Sequence, residues 1–183
     1  DLASNWQPSE AGWWVWSLEE RTLNFETNGG SEISPVTVES GSIIDLNNYV
    51  PAKDGYIFTG WFTDEACKSK AGEKIELTWN KTLYAGWEAE KRMLTFNTNG
   101  GSSIDSVTLD YGTEVDLNTF QPVKENYDFT GWYIDHNCTE KAENPFLLTT
   151  DTILYAGWTG QDRTLSFNTH GGSEVAPVTV NFR

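Results

Sequence analysis

Basic residues are scarce in this sequence. Twelve Lys and Arg stand against 27 Asp and Glu, leaving a formal charge of −15. A field of that sign repels phosphate backbones and argues against nucleic acid as a partner. Long apolar runs are missing as well. No stretch reaches the roughly 18 residues of a membrane-spanning helix, so no membrane span is expected. No basic segment followed by an apolar one opens the chain, so any secretion signal is expected to have been removed already. Histidine and cysteine occur twice each and methionine once. His136 and His170 lack partners at metal-ligand spacing and read as surface residues. No glycine-rich loop leads into a helix, which argues against a nucleotide site. No Asp-x-Asp-x-Asp-Gly loop is present, so Asp64, Glu65 and Asp135 read as a solvated acidic surface before a weak Ca²⁺ site. Catalytic residues, cofactors and metals are accordingly not expected. What is plentiful is aromatic: 14% of residues, with nine Trp, beside only 38% hydrophobic residues. That composition excludes disorder and points to a soluble, acidic, mainly β protein of one or two domains.

The chain repeats itself. Arg21-Thr-Leu-Asn-Phe-Glu-Thr-Asn-Gly-Gly30 returns as Arg92-Met-Leu-Thr-Phe-Asn-Thr-Asn-Gly-Gly101 and again as Arg163-Thr-Leu-Ser-Phe-Asn-Thr-His-Gly-Gly172, at an offset of 71 each time. Tyr56-x-Phe-Thr-Gly-Trp61 maps onto Tyr127-x-Phe-Thr-Gly-Trp132, and Leu83-Tyr-Ala-Gly-Trp87 onto Leu154-Tyr-Ala-Gly-Trp158, at the same offset. An ungapped alignment of 21–91 on 92–162 holds about 33 identities in 71 positions. The organisation expected is residues 1–20 as a Trp-rich segment ending in the closing strand of a partial repeat, 21–91 and 92–162 as two whole repeats, and 163–183 as the opening hairpin of a partial one.

Within a unit, Leu23, Phe25 and Thr27 alternate with polar residues, which predicts a half-buried strand. Asn28-Gly29-Gly30 predicts a tight hairpin turn and Val36-Thr-Val38 the return strand. Asp45 caps a short helical turn that Pro51 stops. Tyr56–Trp61 and Thr82–Trp87 are the third and fourth strands, with Tyr56, Phe58 and Gly60 on one face of the third and Ile57, Thr59 and Trp61 on the other. Asp64 to Lys74 differs most between copies and reads as a surface loop. Each unit is thus ββ, a short helix or loop, then ββ; a small α+β variant remains open. The expected structural core includes Phe25, Tyr56, Phe58, Trp61 and Trp87, with Phe96, Tyr127, Phe129, Trp132 and Trp158 in the second copy. Gly60 and Gly86, each before a Trp, are expected to admit a ring or a backbone closely.

Cys67 and Cys138 fall on the same site of successive units. A disulfide needs Cα atoms within about 7 Å, which argues against an intrachain bridge. They read as buried or half-buried thiols first and as an intermolecular bridge second. Trp6, Trp13, Trp14 and Trp16 form the densest aromatic run. Two readings stand: a strand buried on both faces, which its alignment with the fourth strand favours, or a stacking platform for sugars. Asn80-Lys-Thr82 and Asn137-Cys-Thr139 are glycosylation sequons of common occurrence.

The order Phe-x-Thr-Asn-Gly-Gly-Ser, Val-Thr-Val, Gly-Tyr-x-Phe-x-Gly-Trp and Leu-Tyr-Ala-x-Trp resembles the Listeria–Bacteroides repeat domain, the B-repeat type of internalin-like surface proteins. The resemblance covers about 12–183. It implies a β-grasp-like sheet per unit and tandem arrays in extracellular or cell-surface proteins, acting as stalk, spacer or adhesive module. It carries no catalytic residues. The function expected is a non-enzymatic structural repeat protein, a stalk or filament subunit, with itself as the first partner. Head-to-tail β-strand complementation would join Trp13, Trp14 and Trp16 of one molecule to the hairpin carrying Leu165, Phe167, Val178 and Val180 of another. The alternative is an adhesin or carbohydrate-binding module that uses exposed Trp to hold a host or wall glycan or protein.

Overall fold

The computed structural model describes the backbone of Trp6–Pro8 and Trp14–Trp16 and the whole of residues 19–182. The chain divides into two compact units, 1–90 and 91–183. Trp13 lies outside the described residues. For Trp14 and Trp16 only the backbone is described.

In the first unit, strands β1 (Trp6–Pro8) and β2 (Trp14–Trp16) form an antiparallel pair with Trp6 opposite Trp16. They are followed by β3 (Glu20–Glu26), β4 (Val36–Glu39), β5 (Ser42–Asp45), β6 (Tyr56–Phe62), β7 (Lys74–Leu77) and β8 (Lys81–Ala89). The main sheet has the order β4-β3-β8-β6. Its two central strands, β3 and β8, run parallel, with Phe25 opposite Leu83, and both flanking pairs are antiparallel. A short antiparallel ribbon, β5 with β7, lies outside that sheet. The expected ββ–turn–ββ unit therefore gains two further strands; four-residue segments such as Ser42–Asp45 are too short for alternation to declare them. Between β5 and β6, residues Leu46–Asn48 make one 3-10 turn whose cap is Asp45, its carboxylate accepting from the Asn47 N–H at 3.0 Å.

The second unit repeats the plan. Strands β9 (Lys91–Asn97), β10 (Val107–Asp110), β11 (Thr113–Val115), β12 (Tyr127–Tyr133), β13 (Phe146–Leu148) and β14 (Thr152–Gly160) give the sheet β10-β9-β14-β12 and the ribbon β11-β13. Asp116 caps the matching 3-10 turn. The unit also carries β15 (Asp162–Leu165) and β16 (Val178–Asn181), paired from Asp162 opposite Asn181 to Leu165 opposite Val178.

One core fills each unit between sheet, ribbon and 3-10 turn. Leu23, Leu77 and Leu83 are fully buried in the first, and Leu94, Leu148 and Leu154 in the second. Trp61 and Trp132 join them at 3% exposure. The sequence placed Phe58 and Trp61 on opposite faces of the third strand; the structure puts both against the core. A β-bulge between Phe58 and Gly60 is the reason, because one extra residue reverses the alternation beyond it. Gly60 takes φ +125 there and Gly131 takes +123, a region side chains disfavour. Gly86 admits the ring of Phe62, from which an added Cβ would lie 2.2 Å, whereas Gly60 admits neither ring nor backbone but the Lys70 stem, at 2.5 Å.

Candidate functional site

Several of the residues that recur at an offset of 71 meet at one place, the turn at Asn28-Gly29-Gly30. Asn28 and Gly29 adopt left-handed backbone, φ 50 and 83. The Asn28 side chain donates to the Ala85 carbonyl of β8 at 2.8 Å. The Trp87 indole N–H donates to the Thr27 carbonyl at 2.9 Å, and its ring lies so close over Gly30 that an added Cβ would stand 2.5 Å from it. Lys53 closes the arrangement from the third side: its ammonium donates to the Asn28 carbonyl at 3.0 Å and sits 4.5 Å from the Tyr56 ring centroid. The turn therefore does not close a simple hairpin. Strand β4 pairs with β3 only as far as Leu23, and Phe25 and Glu26 pair with β8 instead. It works as a clasp fastening the end of the opening strand onto the closing strand. Asn99, Trp158, Lys124 and Tyr127 repeat every contact in the second unit.

The named core residues fall as follows. Trp61, Trp132 and Phe96 are buried, and Phe25, Phe58, Trp87, Phe129 and Trp158 are half-buried against the clusters. Trp61 donates its indole N–H to the Tyr49 carbonyl at 2.7 Å and packs at 4.9 Å from Phe25. Tyr56 and Tyr127 are half-buried beneath the clasp lysines. The lysines were missed in the sequence, although Pro51-x-Lys53 and Pro122-x-Lys124 keep the same offset.

Each ionisable group that invites a chemical reading has a structural partner. Asp64 ties the loop after β6, accepting from the Ser69 N–H at 2.7 Å and the Lys68 N–H at 3.2 Å; those bonds hold its carboxyl below the ordinary value. Asp135 does the same through Glu140 and Thr139. Cys67 and Cys138 are free and half-buried, each at left-handed φ beside the clasp. The Cys138 sulfur lies 3.6 Å from both the Asn99 amide and the Ala156 carbonyl. Burial first, and the Asp135 charge second, push its thiol pKa up, which keeps it protonated rather than nucleophilic. His136 is exposed, with its Nδ1 3.0 Å from the side-chain oxygen of its neighbour Asn137 and its ring edge-on to Tyr155. Among the described residues no three His, Cys, Asp or Glu converge as metal ligands. The recess beside the bulge holds about 300 Å³ in the first unit and 240 Å³ in the second; its ionisable lining is Lys70 and Glu73 in one and Lys141 in the other.

The expected interface residues of the last hairpin lie open. Leu165, Phe167, Val178 and Val180 are 58%, 45%, 48% and 56% exposed, whereas Leu23 and Leu94, the counterparts of Leu165, are at 0%.

These features define a tandem-repeat β protein whose recurrent motif builds the fold. The chain belongs to the Listeria-Bacteroides repeat domain family, whose profile matches residues 22–86 and 93–157. Two similar proteins of Evansella cellulosilytica are named as a membrane protein and a Gly-rich membrane protein. They are 37% and 38% identical over 91% of this chain, which spans 25% and 19% of their lengths. Internalin H of Listeria monocytogenes is 31% identical over 63% of the chain, across 20% of its own length. The chain thus spans a quarter or less of these relatives. No described helix is long and apolar enough to cross a membrane.

Proposed function

We propose that the chain is a non-enzymatic, load-bearing segment of an extracellular or cell-surface protein, a stalk or spacer. The observation that carries this is the parallel pairing of opening and closing strands. Strand β3 begins the first repeat and β8 ends it, side by side in the middle of the sheet. Tension along the chain therefore slides one strand past the other and loads the β3–β8 hydrogen bonds together, whereas an antiparallel hairpin would unzip them singly. The clasp at Asn28 and Trp87 adds bonds across the same pair. The surface-protein character of the family and the names of the relatives support the location.

The finer reading is assembly. The hairpin β15–β16 keeps the register of β3–β4 and carries the same apolar residues without a closing strand over them. A second copy would supply it, since β1–β2 sets Trp6 opposite Trp16 as β6–β8 sets Phe58 opposite Trp87. Trp16 stands five residues before Arg21, as Trp87 stands before Arg92. Joining the two hairpins would rebuild the four-strand order of a whole unit, head to tail. A second reading, an adhesive module for a host or wall glycan or protein, is favoured by one exposed tryptophan, Trp79.

Extension of the single chain by its two ends tests the load-bearing reading. Two separate force peaks are expected, each releasing up to about 250 Å, the fully extended length of a 71-residue repeat at about 3.6 Å per residue. Smooth extension without peaks would contradict it.

A further inference from the structure

We infer that the first unit carries a binding site for a neutral saccharide at Trp79. This residue occupies the turn between β7 and β8 and is 62% exposed. It borders a groove of about 330 Å³ lined by Thr63, Ile75, Asn80, Lys81 and Thr82. That volume is at the small end of ligand sites.

The fold does not need the indole. The second unit has Thr150 at the equivalent position, and its turn makes the same anchoring bond. Asn80 accepts from the Thr22 N–H at 2.9 Å, and Asp151 accepts from the Met93 N–H at 2.8 Å. The rest of the groove diverges in the same sense. Thr63 and Thr82 are Ile134 and Ile153 in the second copy, and Lys81 is Thr152. One copy therefore sets an exposed Trp beside Thr63, Lys81 and Thr82, where the other sets Thr150 beside Ile134 and Ile153.

The groups present match a pyranose ring. One edge of such a ring is apolar C–H and stacks on an indole; the rest is hydroxyl. Asn80 uses its carboxamide oxygen within the fold, leaving the NH₂ as a donor, and the Thr82 hydroxyl is exposed beside it. The Lys81 ammonium stands 4.4 Å from the indole centroid and donates to the Glu76 carbonyl at 3.1 Å, which fixes the ring from one side. Charge selects the neutral class: the ammonium is already engaged, and the chain carries −15. Carboxylated or sulfated glycans meet that field as repulsion.

The test is binding of the whole chain to an array of neutral oligosaccharides printed beside carboxylated and sulfated ones. Titration calorimetry follows on any neutral oligosaccharide that binds. Trp79→Thr, which copies the second unit, should weaken binding about tenfold or more while leaving the unfolding midpoint in place. Trp61→Ala, by contrast, should move the midpoint. Binding to no neutral glycan, binding only to acidic ones, or binding that survives Trp79→Thr would overturn the inference. So would Trp79-dependent capture of an unglycosylated protein with no glycan bound. None of these outcomes bears on the force peaks expected of the stalk.

Discussion

Trp61 and Trp87 both follow a glycine in a strand, yet the molecule uses them differently. Trp61 is sealed in the core, with its indole N–H on the Tyr49 carbonyl. Trp87 is half-exposed and holds the Asn-Gly-Gly turn. Their recurrence was legible in the sequence; their separate roles were not, because the bulge at Gly60 reverses the face on which Trp61 lies. The clasp lysines escaped for a related reason: a Lys between motifs looks like solvated surface until its ammonium is seen over Tyr56 and against the Asn28 carbonyl. Removing Trp61 leaves a large cavity and an unpaired carbonyl. Trp61→Ala, and Trp132→Ala equally, should cost about 3–5 kcal/mol in denaturant unfolding. A cost below about 1 kcal/mol would show that the ring does not support the core.

The loop after β6 shows how a variable element keeps its shape. Of its residues, Asp64, Cys67, Lys70 and Ala71 recur in the second copy as Asp135, Cys138, Lys141 and Ala142, while most others change. The Asp binds the loop backbone, the Cys sits beside the clasp, and the Lys stem covers the glycine of the bulge. Variability alone therefore suggested a plain surface loop, and the fixed minority gave it its geometry. The ribbons β5–β7 and β11–β13 were hidden for want of length, although Leu77 and Leu148, fully buried, come from them. Bonds to Asp64, Asp116 and Asp135 hold each carboxyl below its ordinary value of 3.8. Their folded pKa values thus lie below the unfolded ones. Their stabilising contribution is complete above the unfolded value and is lost as pH falls through the folded one. The thermal unfolding midpoint should therefore fall below about pH 4, and the triple Asp→Asn variant should flatten that decline. An unchanged slope in the variant would remove these three carboxylates from the account.

At the scale of the whole molecule, the sequence showed the repeat plainly because identity recurs at one fixed offset. What it could not show was the pairing of the two ends of a unit, which depends on contacts far apart in the chain. The open hairpin β15–β16 makes one prediction at this scale. Light scattering should show association that grows with concentration, and that is abolished by deleting residues 1–20 or by Phe167→Glu with Val180→Glu. A chain that stays monomeric when concentrated, or association that ignores both changes, would exclude strand complementation between copies. The central claim is that each unit bears load through its parallel central strands, and pulling geometry tests it most directly. Force should be applied to the first unit in two ways: through Glu20 and Ala89, which shears β3 against β8, and through Tyr56 and Ala89, which lie opposite each other in the antiparallel β6–β8 pair and unzip it. The account predicts a clearly higher unfolding force at equal speed for the first geometry. Equal forces, or a stronger response from the second, would contradict it.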